Sequence, residues 1–149
     1  MNALDLLSED HKKVKELFEE AENAEGKEQQ KLFDQIKQEL ETHTRIEETI
    51  FYPAVQQYEE LKDMVLESLE EHKQVKTLLK EMDGLAADSD KFEPKLKVLM
   101  ENVEHHAEEE EEGKMFPQLR DLMDEQELED LGAELDAAKQ RGQKQRKAS

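Results

Sequence analysis

HTRIEETIFYP at residues 43–53 and HAEEEEEGKMFP at residues 106–117 are the two stretches on which the fold turns. Each runs from a histidine through vicinal glutamates to an aromatic residue and a proline. A helix turns by about 100° per residue, so His43 and Glu47 at i, i+4 stand one turn apart on one face, and the same holds for His106 and Glu110. Working outward, each pair continues an apolar stripe: Leu32, Ile36 and Leu40 lead to His43, and Leu96, Leu99 and Val103 lead to His106. Both patterns predict amphipathic helices, over 28–51 and 92–114, with the prolines just beyond.

Two further stripes complete the set. Leu7, His11, Val14, Phe18 and Ala21 mark a helix over 3–24. Leu61, Val65, Leu69, His72, Val75, Leu79 and Met82 mark another over 55–82, long enough to need a kink or short break near Tyr58. HKKVKELFEE at 11–20 reads closely like HKQVKTLLKE at 72–81, so the chain is two similar helical hairpins related by a pseudo-two-fold. Short connections between such helices favour an all-α, up-down-up-down four-helix bundle over residues 1–120. Leu128, Leu131 and Leu135 predict an additional short C-terminal helix packed on the bundle within 121–138, and the basic stretch 139–149 reads as a disordered tail.

Composition narrows the function classes. The 149 residues carry a formal charge of −19, which repels nucleic acid and anionic membrane and makes cations the natural partners. No stretch approaches a membrane span or a leader sequence, which makes a cytoplasmic protein the expectation. There is no cysteine, so any metal is held by nitrogen and oxygen. Neither a nucleophile–base arrangement nor a glycine-rich phosphate loop is visible. After the bundle is built no long apolar stripe is left over, which predicts a monomer or weak dimer.

Four of the five histidines, His11, His43, His72 and His106, each fall on the apolar stripe of a different helix. With Glu47 and Glu110 they make a set of four imidazoles and two carboxylates, suited to two ions of iron, manganese or zinc. Buried carboxylates in a bundle core need such a cation. The fourth helix keeps alternatives open. His43 to Pro53 is ten residues while His106 to Pro117 is eleven, so His105, Glu109 or Glu111 could take the ligand positions there, and a local π-bulge would shift the register. Glu48 reads as an outer or alternative ligand. Phe51 and Phe116 read as core plugs; Tyr52 and Tyr58 are within reach of a metal or of redox chemistry, but read first as packed rings with wet hydroxyls.

The order of a lone His, HxxxE, a second lone His and a second HxxxE, from about Leu4 to Pro117, resembles the hemerythrin-like, HHE cation-binding family. That resemblance implies a four-helix bundle with a non-haem di-iron centre on His11, His43, Glu47, His72, His106 and Glu110. It also implies binding of oxygen or a related small ligand such as nitric oxide or peroxide, for sensing, iron handling or stress protection. Lys76 stands where oxygen-carrying members have a further histidine, which argues for a more open or asymmetric site than an oxygen carrier has. The competing readings are a di-iron enzyme that consumes peroxide or nitric oxide, and a helical interaction protein with a zinc or vestigial site.

Overall fold

The computed structural model describes residues 1–86 and 88–148. Four long helical rods form the bundle, and a further helix lies along one side. Helix α1 (Ala3–Glu22) opens with Asn2, whose side chain accepts the backbone N–H of Asp5 at 2.9 Å, and packs on α2 (Gly26–Ile46). Gly26, at φ 58°, takes the left-handed conformation that lets α2 begin directly after the turn. A π-helical segment (Glu47–Phe51) and α3 (Tyr52–Val55) extend the second rod. The third rod, α4 (Lys62–Asp83), follows a real break: Tyr58 is extended and a single 3₁₀ turn spans Glu59–Leu61. Of the kink or short break expected near Tyr58 the structure shows the break, and the rod proper starts at Lys62, later than the predicted 55. The fourth rod joins α5 (Phe92–Glu104), a long π-helical segment (His105–Met115) and α6 (Phe116–Leu122).

Both π segments end just before an aromatic–proline pair. A proline ring clashes with the carbonyl four residues earlier, and widening the turn to i→i+5 bonding relieves that contact. The backbone N–H groups of Tyr52 and Phe116 accordingly donate to the carbonyls of Glu47 and Glu111, five residues back.

Helix α7 (Glu125–Ala148) differs from expectation: it continues ten residues past the predicted end at 138, through most of the stretch read as a tail. One contact favours the extension: Lys139, just past the predicted end, finds a carboxylate partner in Asp10 on α1. Residue 149 of that tail, and the side chains of 145–148, lie outside the described residues.

The interior has three layers. One apolar cluster holds Leu4, Leu7, Phe51, Val55 and Leu119 and is completed by Leu128, Leu131 and Leu135 of α7. The other holds Phe18, Phe33, Ile36, Leu79 and Phe92. Between them lies a buried polar layer containing His43, Glu47, His72, His106 and Glu111. Apolar walls on both sides position that layer and exclude water from it. Among the described residues no helix is long and apolar enough to cross a membrane.

Candidate metal centre

The histidines meet in two pairs. His11 on α1 faces His43 on α2 with Nε2 atoms 3.2 Å apart, and His72 on α4 faces His106 in the second π segment with Nε2 atoms 3.1 Å apart. Both pairs are edge-to-face, with ring centroids at 4.8 and 4.7 Å. Two fully buried carboxylates lie between the pairs. Glu47 Oε1 is 3.3 Å from His43 Nε2 and 3.0 Å from His72 Nε2. Glu111 places Oε1 3.0 Å from His11 Nε2 and Oε2 3.2 Å from His106 Nε2.

The fourth helix supplies Glu111 rather than Glu110. Residues five apart in a π turn stack as residues four apart do in an α-helix, so the segment His105–Met115 carries His106 over Glu111. Glu110 turns outward to the Lys114 ammonium at 3.2 Å, Glu109 is exposed, and His105 is half exposed beside Glu109. His11, His43, Glu47, His72 and His106 all stand where the sequence pattern puts them. Aligning backward from the prolines would have found Glu111, because it lies six residues before Pro117 as Glu47 lies six before Pro53.

Every inner histidine has a carboxylate on its other ring nitrogen. Nδ1 of His11 is 2.8 Å from Glu112, that of His43 3.2 Å from Asp10, that of His72 2.8 Å from Glu48 and that of His106 2.7 Å from Glu71. A carboxylate accepts, so Nδ1 carries a proton, and whenever the ring is neutral its Nε2 presents a lone pair inward. Four such lone pairs converge pairwise on two buried carboxylates. Glu47 Oε2 and Glu111 Oε1 are themselves buried with no hydrogen-bond donor. Mutual repulsion of these acceptors is relieved only by cations or by protons in the same places.

Titration follows from that crowding. Burial opposes a charge on His43, but Glu47 and Asp10 outweigh it and raise its pKa to about 10. His106 is raised as well against burial, chiefly by Glu111. Burial pushes Glu47 up, yet His43 and the other hydrogen-bonding neighbours hold it well below the usual carboxylate range. In the absence of metal, protons on His43 and His106 occupy positions a cation would take.

Tyr52 departs from the reading the sequence favours for it. It is 1 % exposed, and its hydroxyl is not wet: it donates to Glu111 Oε2 at 2.5 Å and lies 3.3 Å from His72 Nε2 and 3.2 Å from His106 Nε2. Burial, with the Glu111 and Glu47 charges, pushes its pKa well up, which keeps it a donor. Its equivalent in the second half is Phe116, which stacks on His11 at 6.4 Å. Lys76 is not in the cluster. It holds Glu48 through both carboxylate oxygens at 2.8 Å, and Glu48 in turn holds His72.

A helical bundle whose core layer joins four imidazoles to two shared carboxylates defines a metal-binding protein with nitrogen and oxygen donors. His11, His43, Glu47 and Glu111 have ligand atoms all within 4.8 Å of one another, and so do Glu47, His72 and His106. The Hemerythrin HHE cation binding domain family matches residues 2–119, and the chain belongs to that family. It is 31 % identical over 111 residues to an uncharacterized hemerythrin-like protein of Schizosaccharomyces pombe, covering 72 % of this chain and 55 % of that one. It is 29 % identical over 140 residues to a protein of Nostoc sp. named DNA nickase, covering 93 % of this chain but 39 % of the relative. The chain therefore spans about half or less of the length of these two curated relatives. The crystal structure of a hemerythrin HHE cation binding domain-containing protein from Mycobacterium kansasii superposes with a TM-score of 0.84 at 28 % identity, over 95 % of this chain and 87 % of that one.

Proposed function

We propose that this chain holds two non-haem iron ions in its polar layer and uses them to bind oxygen or a related small ligand such as nitric oxide or peroxide, in sensing, iron handling or stress protection. The observation that carries the proposal is the convergence of four Nε2 atoms on two buried carboxylates, each with one oxygen that lacks a donor. The residues fit an ion pair: His11 and His43 would hold one ion, His72 and His106 the other, and Glu47 and Glu111 would be shared. All-nitrogen and oxygen donors of intermediate softness suit iron, with manganese or zinc as competitors. When bound, the pair supplies reversible electron exchange and open positions for a small ligand.

The chain's own residues do the rest. The outer carboxylates Asp10, Glu48, Glu71 and Glu112 fix ring orientation and tautomer, and Tyr52 holds Glu111 in place by donating its proton. A cavity of about 20 Å³ adjoins the four histidines, with Val14, Leu40, Val75 and Val103 among its walls. Its volume is on the scale of one water or one diatomic molecule, and its apolar side favours an uncharged occupant. Among the described residues the exposed large apolar side chains are Met1, Leu66 and Val98, scattered singly, in keeping with a monomer or weak dimer. Nicking of DNA stays with the Nostoc protein, because a charge of −19 repels a polyanion.

The test is metal content by mass spectrometry on protein purified without a histidine tag, with the absorption spectrum taken before and after air exposure. About two irons per chain, and near-ultraviolet charge-transfer bands that vanish on reduction, support the reading. Zinc alone, or no uptake after anaerobic iron loading, rejects it. Loss of added peroxide at steady state, measured on the iron-loaded protein, would make the site an enzyme's rather than a carrier's or sensor's.

A further inference from the structure

The C-terminal helix reaches the metal layer through one chain of contacts. Along α7 the buried Leu128, Leu131 and Leu135 are followed, one turn on, by Lys139 on the same face. An apolar residue would continue that stripe. Instead the Lys139 ammonium runs to Asp10 Oδ1 at 2.5 Å, and Asp10 Oδ2 takes Nδ1 of His43 at 3.2 Å. Asp10 is only 6 % exposed, so its charge needs both partners. Docking is close enough to hold this register: a Cβ at Gly132 would lie 2.4 Å from the carbonyl oxygen of Met1, with backbone on both sides that cannot yield cheaply.

Among the described residues the second half has no such link. Glu71, the counterpart of Asp10, takes His106 Nδ1 at 2.7 Å, and its other oxygen lies 3.6 Å from the half-exposed His105. The lysine that supports the other pair, Lys76, belongs to the bundle itself.

We infer that α7 is a positioning element for one half of the centre: Lys139, through Asp10, fixes the His43 ring, so that docking of the C-terminal helix is coupled to cation uptake by His11 and His43. This rests on the metal-binding reading proposed above. Without Lys139, Asp10 is a buried carboxylate with one partner. It is then free to turn toward water in the groove of about 630 Å³ that it shares with Lys139, Glu9 and Asp136 between α1 and α7. His43 then loses the acceptor that sets its tautomer and angle. Lys139 touches no proposed ligand, so its effect is one of position. Because linkage is reciprocal, an ion at this half also tightens α7 against the bundle.

The experiment is titration of the full-length apo protein with Co(II), read by its visible absorption and by chelator competition for each successive ion. Lys139→Met is expected to weaken one of two ions about tenfold, the lower end of what loss of a partner outside the ligand sphere produces, and to leave the other within twofold. Lys139→Arg, which keeps the charge and reach, should restore it. Gly132→Val, which retains Lys139 but pushes α7 off α1, should reproduce the Lys139→Met loss and make α7 sensitive to protease. The inference is overturned if Lys139→Met leaves both affinities within twofold of wild type, strengthens them, or lowers both equally. It is overturned too if Gly132→Val releases α7 with both ions bound as in wild type. Failure of the wild-type protein to take up two Co(II) ions would instead overturn the metal reading itself.

Discussion

The two histidine pairs are alike on the inside and unlike on the outside. The inner geometry repeats to within 0.1 Å in Nε2 separation and in ring-centroid distance. The repeat extends one shell further. The acidic residue just before each lone histidine, Asp10 or Glu71, supports the opposite helix's histidine, and the second glutamate of each vicinal pair, Glu112 or Glu48, supports the lone histidine of the other hairpin. Beyond that the halves diverge. The His43 support is tied to α7 by Lys139, the His72 support to Lys76, and the slot that holds the phenol of Tyr52 in one half holds the phenyl ring of Phe116 in the other. A pseudo-two-fold thus builds the cation cradle, and whatever packs around it makes the two positions chemically distinct.

The largest expected effect breaks the shared part. Glu111→Ala removes a carboxylate that spans both pairs and should abolish stoichiometric binding of both ions, whereas Glu110→Ala, one residue away and facing Lys114, should leave metal content unchanged. Metal analysis of the two purified variants checks this. An equal loss in both, or loss in Glu110→Ala alone, would reverse the assignment of the fourth-helix ligand.

Next in size is the effect of proton–metal competition. His43 has its pKa raised from 6.5 to about 10 in the folded apo protein, so its contribution to stability is fully present below 6.5 and is lost as pH rises toward 10. Glu47 is lowered from 4.5, so its contribution is present above 4.5 and lost on acidification. The cluster therefore favours the apo fold most between about 4.5 and 6.5. A cation displaces those protons, and binding it costs less as pH rises. The melting-temperature difference between loaded and chelated protein should accordingly widen from about pH 6 to about pH 9. At an ion concentration about 1,000 times Kd the stabilisation is roughly 4 kcal/mol. A gap that narrows with pH would show that protons and metal do not share these positions.

Asp10→Asn and Glu71→Gln sharpen the comparison at the supporting layer. Each replaces an acceptor on Nδ1 with a weaker one, and each should cost about 10- to 100-fold in the affinity of one ion. The loss should fall on the His11–His43 position for the first variant and on the His72–His106 position for the second, and stepwise metal titration distinguishes them from a common loss. Asp10→Asn should have the larger effect on α7, because it also strips Lys139 of its partner.

How much of this was legible in the sequence depended on which physical rule applied. Stripes of period 3.6 placed all four rods and put five of the six inner residues on them, since a helical face is fixed by rotation alone. The sixth stays open in the sequence because Glu108 to Glu112 offers a carboxylate at every angle, and the α-helical spacing favours Glu110 where the π turn selects Glu111. The extra residue before Pro117 was the visible sign. For Tyr52 the sequence favours a packed ring with a wet hydroxyl over one that reaches the centre, because its neighbours say nothing of the widened turn that directs it inward. Lys139 was unreadable for another reason: a run of Lys, Arg, Gln and Gly looks disordered until a buried aspartate 129 residues away gives it a partner.

The smallest expected effect concerns the one ring that separates the halves. Tyr52→Phe makes the second half resemble the first, where Phe116 already fills the equivalent slot against His11. The phenyl ring keeps the packing with Phe51 and His72, so no cavity opens. What is lost is the hydrogen bond to Glu111 Oε2, and that oxygen still has His106 at 3.2 Å. A net hydrogen bond is worth about 0.5–1.5 kcal/mol, or up to roughly 3 kcal/mol toward a charged acceptor. Denaturant unfolding of the chelated protein should therefore show a loss in that range. With ions bound the cost should shrink, because a cation satisfies Glu111 in place of the phenol. A larger loss in the loaded protein than in the chelated one would mean that the hydroxyl serves the ions directly and that the asymmetry between the halves begins among the ligands themselves.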